Sequence, residues 1–216
     1  MIKPKAKTTK AKAKPKTNKA KRPPLPEMDL RDELLDAAMA LAARKGWDAV
    51  SSEALAKAMQ IDREDVVALM PDKTDILRWL AAKVNAAMHA PGAPESESAR
   101  DALFELIMRR FDALAPYKAG VQAVAEAARA DLFLPIVLAG DFATALGDTL
   151  ELASLPSTPL HRAGLGALWL LVGNVWLNDD SVDLAATMAA LDRRLGQLEE
   201  AAEALQSFLP SRPAAA

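Results

Sequence analysis

Few side chains in this sequence are spaced to do covalent chemistry. There is no cysteine, and His89 and His161 are the only histidines. Lack of cysteine excludes disulfides, thiolate metal sites, iron–sulfur clusters and thiol nucleophiles. Two isolated imidazoles leave little for a histidine-based metal site. No E-x-x-H or H-x-x-x-H spacing places two ligands on one helix face, and neither a phosphate-cradling glycine loop nor G-x-S-x-G occurs. His161 follows Pro159-Leu160 and reads as a surface histidine. One adjacent carboxylate pair, Asp179-Asp180, stands at a helix start in the C-terminal half. Capping explains it first, because a carboxylate accepts hydrogen bonds from the free N–H groups of a helix start. Contact with a partner explains it second. No catalytic constellation emerges. The expectation is a non-enzymatic protein with no cofactor and no metal.

The recurring chemistry is apolar. The second half carries Phe104, Met108, Phe111, Phe133, Phe142, Trp169, Trp176 and Met188. Bulky, adaptable side chains with few polar neighbours are what a hydrocarbon site requires. At about 25 cal/mol per Å², a few hundred Å² of buried tail gives micromolar binding or better after the costs of association. Ordinary core packing accounts for the same residues. Gly164, Gly166 and Gly173 share one helical stretch. Each costs about 1 kcal/mol relative to Ala there, which argues for close helix approach or for room beside the helix.

The elements that would position these residues are helices with short breaks. Leu30, Leu34, Leu35, Ala38, Leu41 and Ala42 recur at helical spacing and stop at Gly46. Ser51 or Ser52 caps a second helix, Asp62 a short third one that Pro71 ends, and Asp72 starts a fourth with Ile76, Leu77, Trp79, Leu80 and Val84 on its apolar side. Residues 91–98, PGAPESES, read as a linker and place a boundary between units at 27–90 and 99–209. Beyond it, Pro116 breaks one helix, a second runs from Tyr117 to Ala130 and a third begins near Pro135. Pro156 and Pro159 frame a loop before an apolar helix over 163–177, and Asn178 to Ser181 stop it and cap the last helical stretch. No strand-like alternation appears. The expected fold class is all-α.

With 216 residues and 51% hydrophobic side chains, the chain is long enough for one domain or two small ones with a real core. Its formal charge of -2 hides an uneven distribution. Residues 1–26 hold ten of the 27 basic side chains and no acid, which leaves 17 basic against 29 acidic beyond them. Self-repelling lysines with nothing apolar to bury predict a disordered tail. It solubilises the protein, or reaches anionic lipid or nucleic acid, or serves as a transit peptide. The acidic body repels phosphate. The longest uncharged run, Ala163 to Asn178, is shorter than the roughly 20 residues that cross a bilayer, so it reads as a buried core helix.

Leu34 to Leu80 resembles the DNA-binding end of the TetR family. The resemblance rests on Gly46-Trp47 closing the first helix, the "ALAKAM" helix Ala54–Met59, the short helix after it, and the Pro71-Asp72-Lys73 step. It implies a helix-turn-helix. Yet the recognition segment, Ile61 to Met70, opens with Asp62, Glu64 and Asp65 against a single Arg63. Phosphates and base edges call for Arg, Lys, Ser, Thr, Tyr or Asn. Residues 27–90 hold 8 basic and 12 acidic side chains, and specific DNA binding is not expected.

Arg100–Asp131 and Arg162–Leu195 resemble the TetR-fold accessory proteins of ubiquinone biosynthesis, most specifically in WLNDDSVDLAATMAALDRRL, Trp176 to Leu195. This resemblance implies a homodimer whose C-terminal helices hold an isoprenoid quinone lipid. It implies cytoplasmic placement at the inner-membrane surface and a membrane-bound hydroxylase as partner. It marks Phe104, Met108, Trp169, Val172 and Trp176 as lipid-binding, and Asp179 and Asp180 as partner-facing. In the resembled family the final helix touches membrane. Here Leu184, Met188, Leu191, Leu195, Leu198, Ala202, Leu205 and Leu209 form a heptad-like stripe beside Glu199, Glu200 and Glu203, so a packing or dimer seam competes with membrane docking. Gly196 can separate the two uses. A TetR-type regulator with an apolar effector, or non-specific nucleic-acid binding by the tail alone, are the rival readings.

Overall fold

Apolar residues at three- and four-residue spacing build helices throughout. The structure, a computed structural model, describes residues 27–131 and 133–208. The Lys-rich stretch 1–26 and Leu209 lie outside the described residues, as do the side chains of Leu205 and Phe208. Helices run α1 Glu27–Lys45, α2 Ser52–Met59, α3 Arg63–Leu69, α4 Asp75–His89, α5 Ala99–Leu114, α6 Lys118–Ala130, α7 Phe133–Leu152, α8 Pro159–Leu177 and α9 Ala185–Phe208, with no strand among the described residues. The all-α expectation holds.

Local chemistry sets most boundaries. Gly46 leaves α1 at φ 83° and delivers Trp47 into the core at 2% exposure. The Ser51 hydroxyl accepts from Ala54 N at 3.2 Å and starts α2. Asp62 precedes α3 without a side-chain capping bond. Asp72 does not open α4. Its carboxylate accepts from Thr74 N at 2.7 Å and Thr74 Oγ1 at 2.6 Å, holding a tight turn, and the helix begins at Asp75. Pro159 is not in the loop before α8. It occupies the first turn, where its missing N–H costs nothing, and Thr158 caps it.

Two apolar cores form. The first gathers Leu34, Leu35, Ala38, Met39, Trp47, Leu55, Val66, Ile76 and Leu80, with Val121 and Val124 of α6 packed against it. The second gathers Met88, Leu106, Ile107, Phe111, Leu150, Leu168, Val172, Trp176, Leu191 and Leu195. Residues 91–98 carry no helix, as expected, but the cores do not divide there. Met88, before the linker, joins the second core; α6 and Leu134, beyond it, join the first.

Two helices depart from the sequence reading. α8 is not buried all round. Leu165, Leu168, Val172 and Trp176 face in, while Leu170 stays 72% and Leu171 49% exposed. By length and composition, the one described helix long and apolar enough to cross a membrane is α7. Its distal turns anchor Ala145, Leu146 and Leu150 in the protein, and its start leaves Phe133 and Ile136 exposed.

Candidate functional site

The residues expected to hold lipid come together between α5 and α8. Phe111 sits 4.9 Å from Trp169 and 5.3 Å from Trp176, centroid to centroid, tilted against the first ring and stacked on the second. Such offset pairs add to the burial of the rings themselves. Val172 and Trp176 are buried. Phe104, Met108 and Trp169 are half-buried and pack on the same core. Phe133 and Phe142 do not join; both are exposed on α7.

Arg110, unremarked in the sequence, lies beside this stack. It is only 9% exposed, and its guanidinium lies 5.3 Å over the Trp169 ring. One nitrogen donates to Asn85 Oδ1 and approaches the Met88 sulfur at 3.8 Å, while Nε has no partner. Burial pulls the guanidinium down to about 10, with Asp148 opposing through space. Arg109, one residue earlier, is also largely covered but fully engaged, donating to Met88 O at 3.1 Å and Gly92 O at 2.7 Å and pairing with Glu105. It fastens the α4 terminus and the linker to α5. Thr149 is fully buried and donates to Ala145 O at 2.8 Å.

Asp179 and Asp180 part ways. The buried Asp179 carboxylate accepts from Ser181 Oγ at 2.5 Å and Ser181 N at 3.2 Å through one oxygen. Through the other it accepts from Thr187 Oγ1 at 2.7 Å and Thr187 N at 2.8 Å. The bonds to Ser181 and Thr187 hold its carboxyl well below the usual range. It ties the first turns of α9 to the end of α8 and has no face left for a partner. Asp180 presents its carboxylate to solvent, 3.8 Å from Lys118 Nζ. Lys118 also donates to the Asp179 carbonyl at 2.5 Å and lies 5.8 Å over Trp176.

Two of the surface grooves among the described residues flank the bundle. One of about 310 Å³ runs between α1 and α6 beside Asp36, Met39, Tyr117 and Gly120. The other, about 270 Å³, separates α8 from α9 and is lined by Leu171, Val172, Val175, Arg193 and Arg194. Of the five expected lipid contacts only Val172 borders either groove.

At the opposite end, Asp62 and the first turn of α3, Arg63, Glu64 and Asp65, are open to solvent. Val67 is exposed beside them, where a DNA-reading helix needs hydrogen-bonding groups.

The backbone is similar to solved TetR transcriptional regulators. One from Nitrosomonas europaea ATCC 19718 superposes with a TM-score of 0.68 at 20% identity, over 80% of this chain and 99% of that one. One from Rhodococcus sp. RHA1 reaches 0.58 at 22% identity, over 81% and 97%. The chain has the TetR fold. No family model matches it, and no curated protein does either.

Proposed function

We propose that this TetR-fold chain has exchanged DNA for lipid: a non-enzymatic, dimeric accessory protein of ubiquinone biosynthesis. It holds a prenylated quinone intermediate and presents it to the membrane-bound demethoxyubiquinone hydroxylase, working in the cytoplasm at the inner-membrane face. The observation that carries this reading is the solvent face of α3 and the residue before it, with Asp62, Glu64 and Asp65 exposed against Arg63. Each carboxylate near a phosphate costs Coulomb energy, and no aromatic or hydroxyl side chain compensates. The aromatic stack between α5 and α8, and the Trp176–Leu195 resemblance, support the lipid half.

A second reading, a TetR-type regulator with an apolar effector, is favoured by the neighbours, which are named transcriptional regulators. One experiment separates the two. Delipidated protein beginning at Glu27 is exposed to a membrane quinone extract and, in parallel, to DNA from upstream of its own gene. Recovery of a prenylated quinone by mass spectrometry, with no salt-resistant DNA complex, is expected. A salt-resistant specific complex without recovered lipid sinks the accessory reading.

A further inference from the structure

The two ends of α7 lie in different surroundings. Its distal turns are built into the bundle through Ala145, Leu146, Thr149 and Leu150. Its first turns rest on the first core through Leu134, which is buried, and Leu138, one turn further on. The other side of those turns is apolar and open, with Phe133 68% and Ile136 69% exposed. From Phe133 to Gly147 the sequence holds one charge, Asp141, and Arg78 of α4 meets it at 3.5 Å. Arg129 and Asp131, both exposed, balance each other at the border. With the distal half locked in the protein, only the first turns of this long apolar helix are free to enter an apolar phase. Their backbone suits that. Asp131 accepts from Phe133 N at 2.9 Å and Pro135 has no N–H, so two of the donors that a helix start leaves bare are accounted for. Bare donors are costly in lipid.

Charge selects what covers this end. The chain enters α1 at Glu27 from residues 1–26, which hold ten basic side chains and no acid. That entry lies on the same side of the molecule as the start of α7. The Arg31 guanidinium lies 5.8 Å over Trp79 of α4, and Arg78, its neighbour in sequence, holds Asp141. We propose that the start of α7 is a membrane-docking face, which sets Phe133 and Ile136 into the interface of an anionic bilayer while the lysines of residues 1–26 meet its head groups. This rests on the membrane-surface part of the reading above and names what touches the membrane. A few apolar side chains alone bind a bilayer weakly and reversibly, and a basic segment beside them makes the attachment firm. A nucleic acid answers the lysines and leaves Phe133 and Ile136 in water. A second copy covers the apolar side chains but brings a second set of lysines beside the first. The final turns of α9 show Glu199, Glu200 and Glu203 to solvent, the wrong charge for an anionic surface.

The test uses the full chain and quinone-free vesicles of phosphatidylcholine, with or without a minority of phosphatidylglycerol. Flotation should recover the protein with anionic vesicles at low salt, and far less with neutral vesicles or at high salt. Phe133→Ser with Ile136→Ser should weaken partition by about tenfold or more, with an unchanged circular dichroism spectrum because both positions are exposed. Changing the nine lysines of residues 1–26 to Gln should remove the dependence on phosphatidylglycerol. The chain has no cysteine, so a spin label goes singly onto Ile136→Cys, Val182→Cys or Ala201→Cys. On vesicles the label at 136 should be shielded from a water-soluble relaxant, and the other two should not. Partition indifferent to the double Ser variant overturns the proposal. Shielding at 201 without shielding at 136 also overturns it, moving the contact to α9. Absence of vesicle binding overturns it as well, and a dimer that the double Ser variant dissolves then makes this face a contact between copies. Any of these results with quinone still recovered from a membrane extract leaves the accessory reading standing. Docking without recovered quinone leaves the docking face and removes that reading.

Discussion

Among the described residues of the C-terminal half, Arg110 and Asp179 are the buried charged side chains, and their surroundings treat them oppositely. Asp179 receives four hydrogen bonds from Ser181 and Thr187. Asp179→Asn keeps the shape but replaces one accepting oxygen with an amide that meets the Thr187 N–H head on. We expect a melting temperature lower by about 5 °C. The bonds depress the folded-state carboxyl below its unfolded value. The stabilisation is therefore complete above the ordinary carboxylate range, near pH 4, and is lost as pH falls through the folded value. Melting curves of wild type and variant should converge on strong acidification and stay apart at neutral pH. The Asp179 cap was legible in the sequence, because an acidic-serine run before a periodic segment has a local explanation. Arg110 was not. Arg109 and Arg110 are adjacent in an amphipathic stretch, and only the packing of α4 and α8 around α5 decides which one clips the linker and which one lies over Trp169.

At the scale of elements, the helix-to-core assignment depends on one close approach. A Cβ at Gly120 would lie 2.8 Å from the Met39 carbonyl oxygen and 2.8 Å from Met39 Cε, so the α6 backbone sits directly against both the backbone and a side chain of α1. Gly120→Ala should force the pair apart and lower stability by about 1–3 kcal/mol in urea unfolding, with little change in helix content. Periodicity placed α1, α2, α5 and α6 well, since each has one apolar face and a Ser, Gly or Pro at its border. It misjudged α8, where leucines occur on every side and only tertiary packing picks the buried ones. It said nothing of α6 crossing to the first core, because sequence patterns show that a face is apolar and not what covers it.

For the whole molecule, the outward face of α8 stands out. Leu160 is 64%, Leu170 72% and Leu171 49% exposed, and Leu198 of α9 is exposed as well. Large apolar side chains left in solvent on one helix point to an interface. A second copy is the occupant we infer, in keeping with the expected homodimer. The double variant Leu170→Glu, Leu171→Glu should run as a monomer in light scattering with an unchanged circular dichroism spectrum. A dimer that survives both charges places the interface elsewhere.

The leucine stripe of α9 is buried at Leu191 and Leu195 and reaches solvent at Leu198, while the helix runs unbroken through Gly196 to Phe208. The last twelve residues thus extend about 18 Å along the helix axis, with Glu199, Glu200, Ala201, Ala202, Glu203 and Ala204 exposed. These turns continue a helix already wound from Ala185 and tethered to α5 by the Arg100–Glu199 pair at 3.7 Å, so they need no nucleus of their own. A surface that meets them finds the backbone already set and spends little of its adhesion on ordering it.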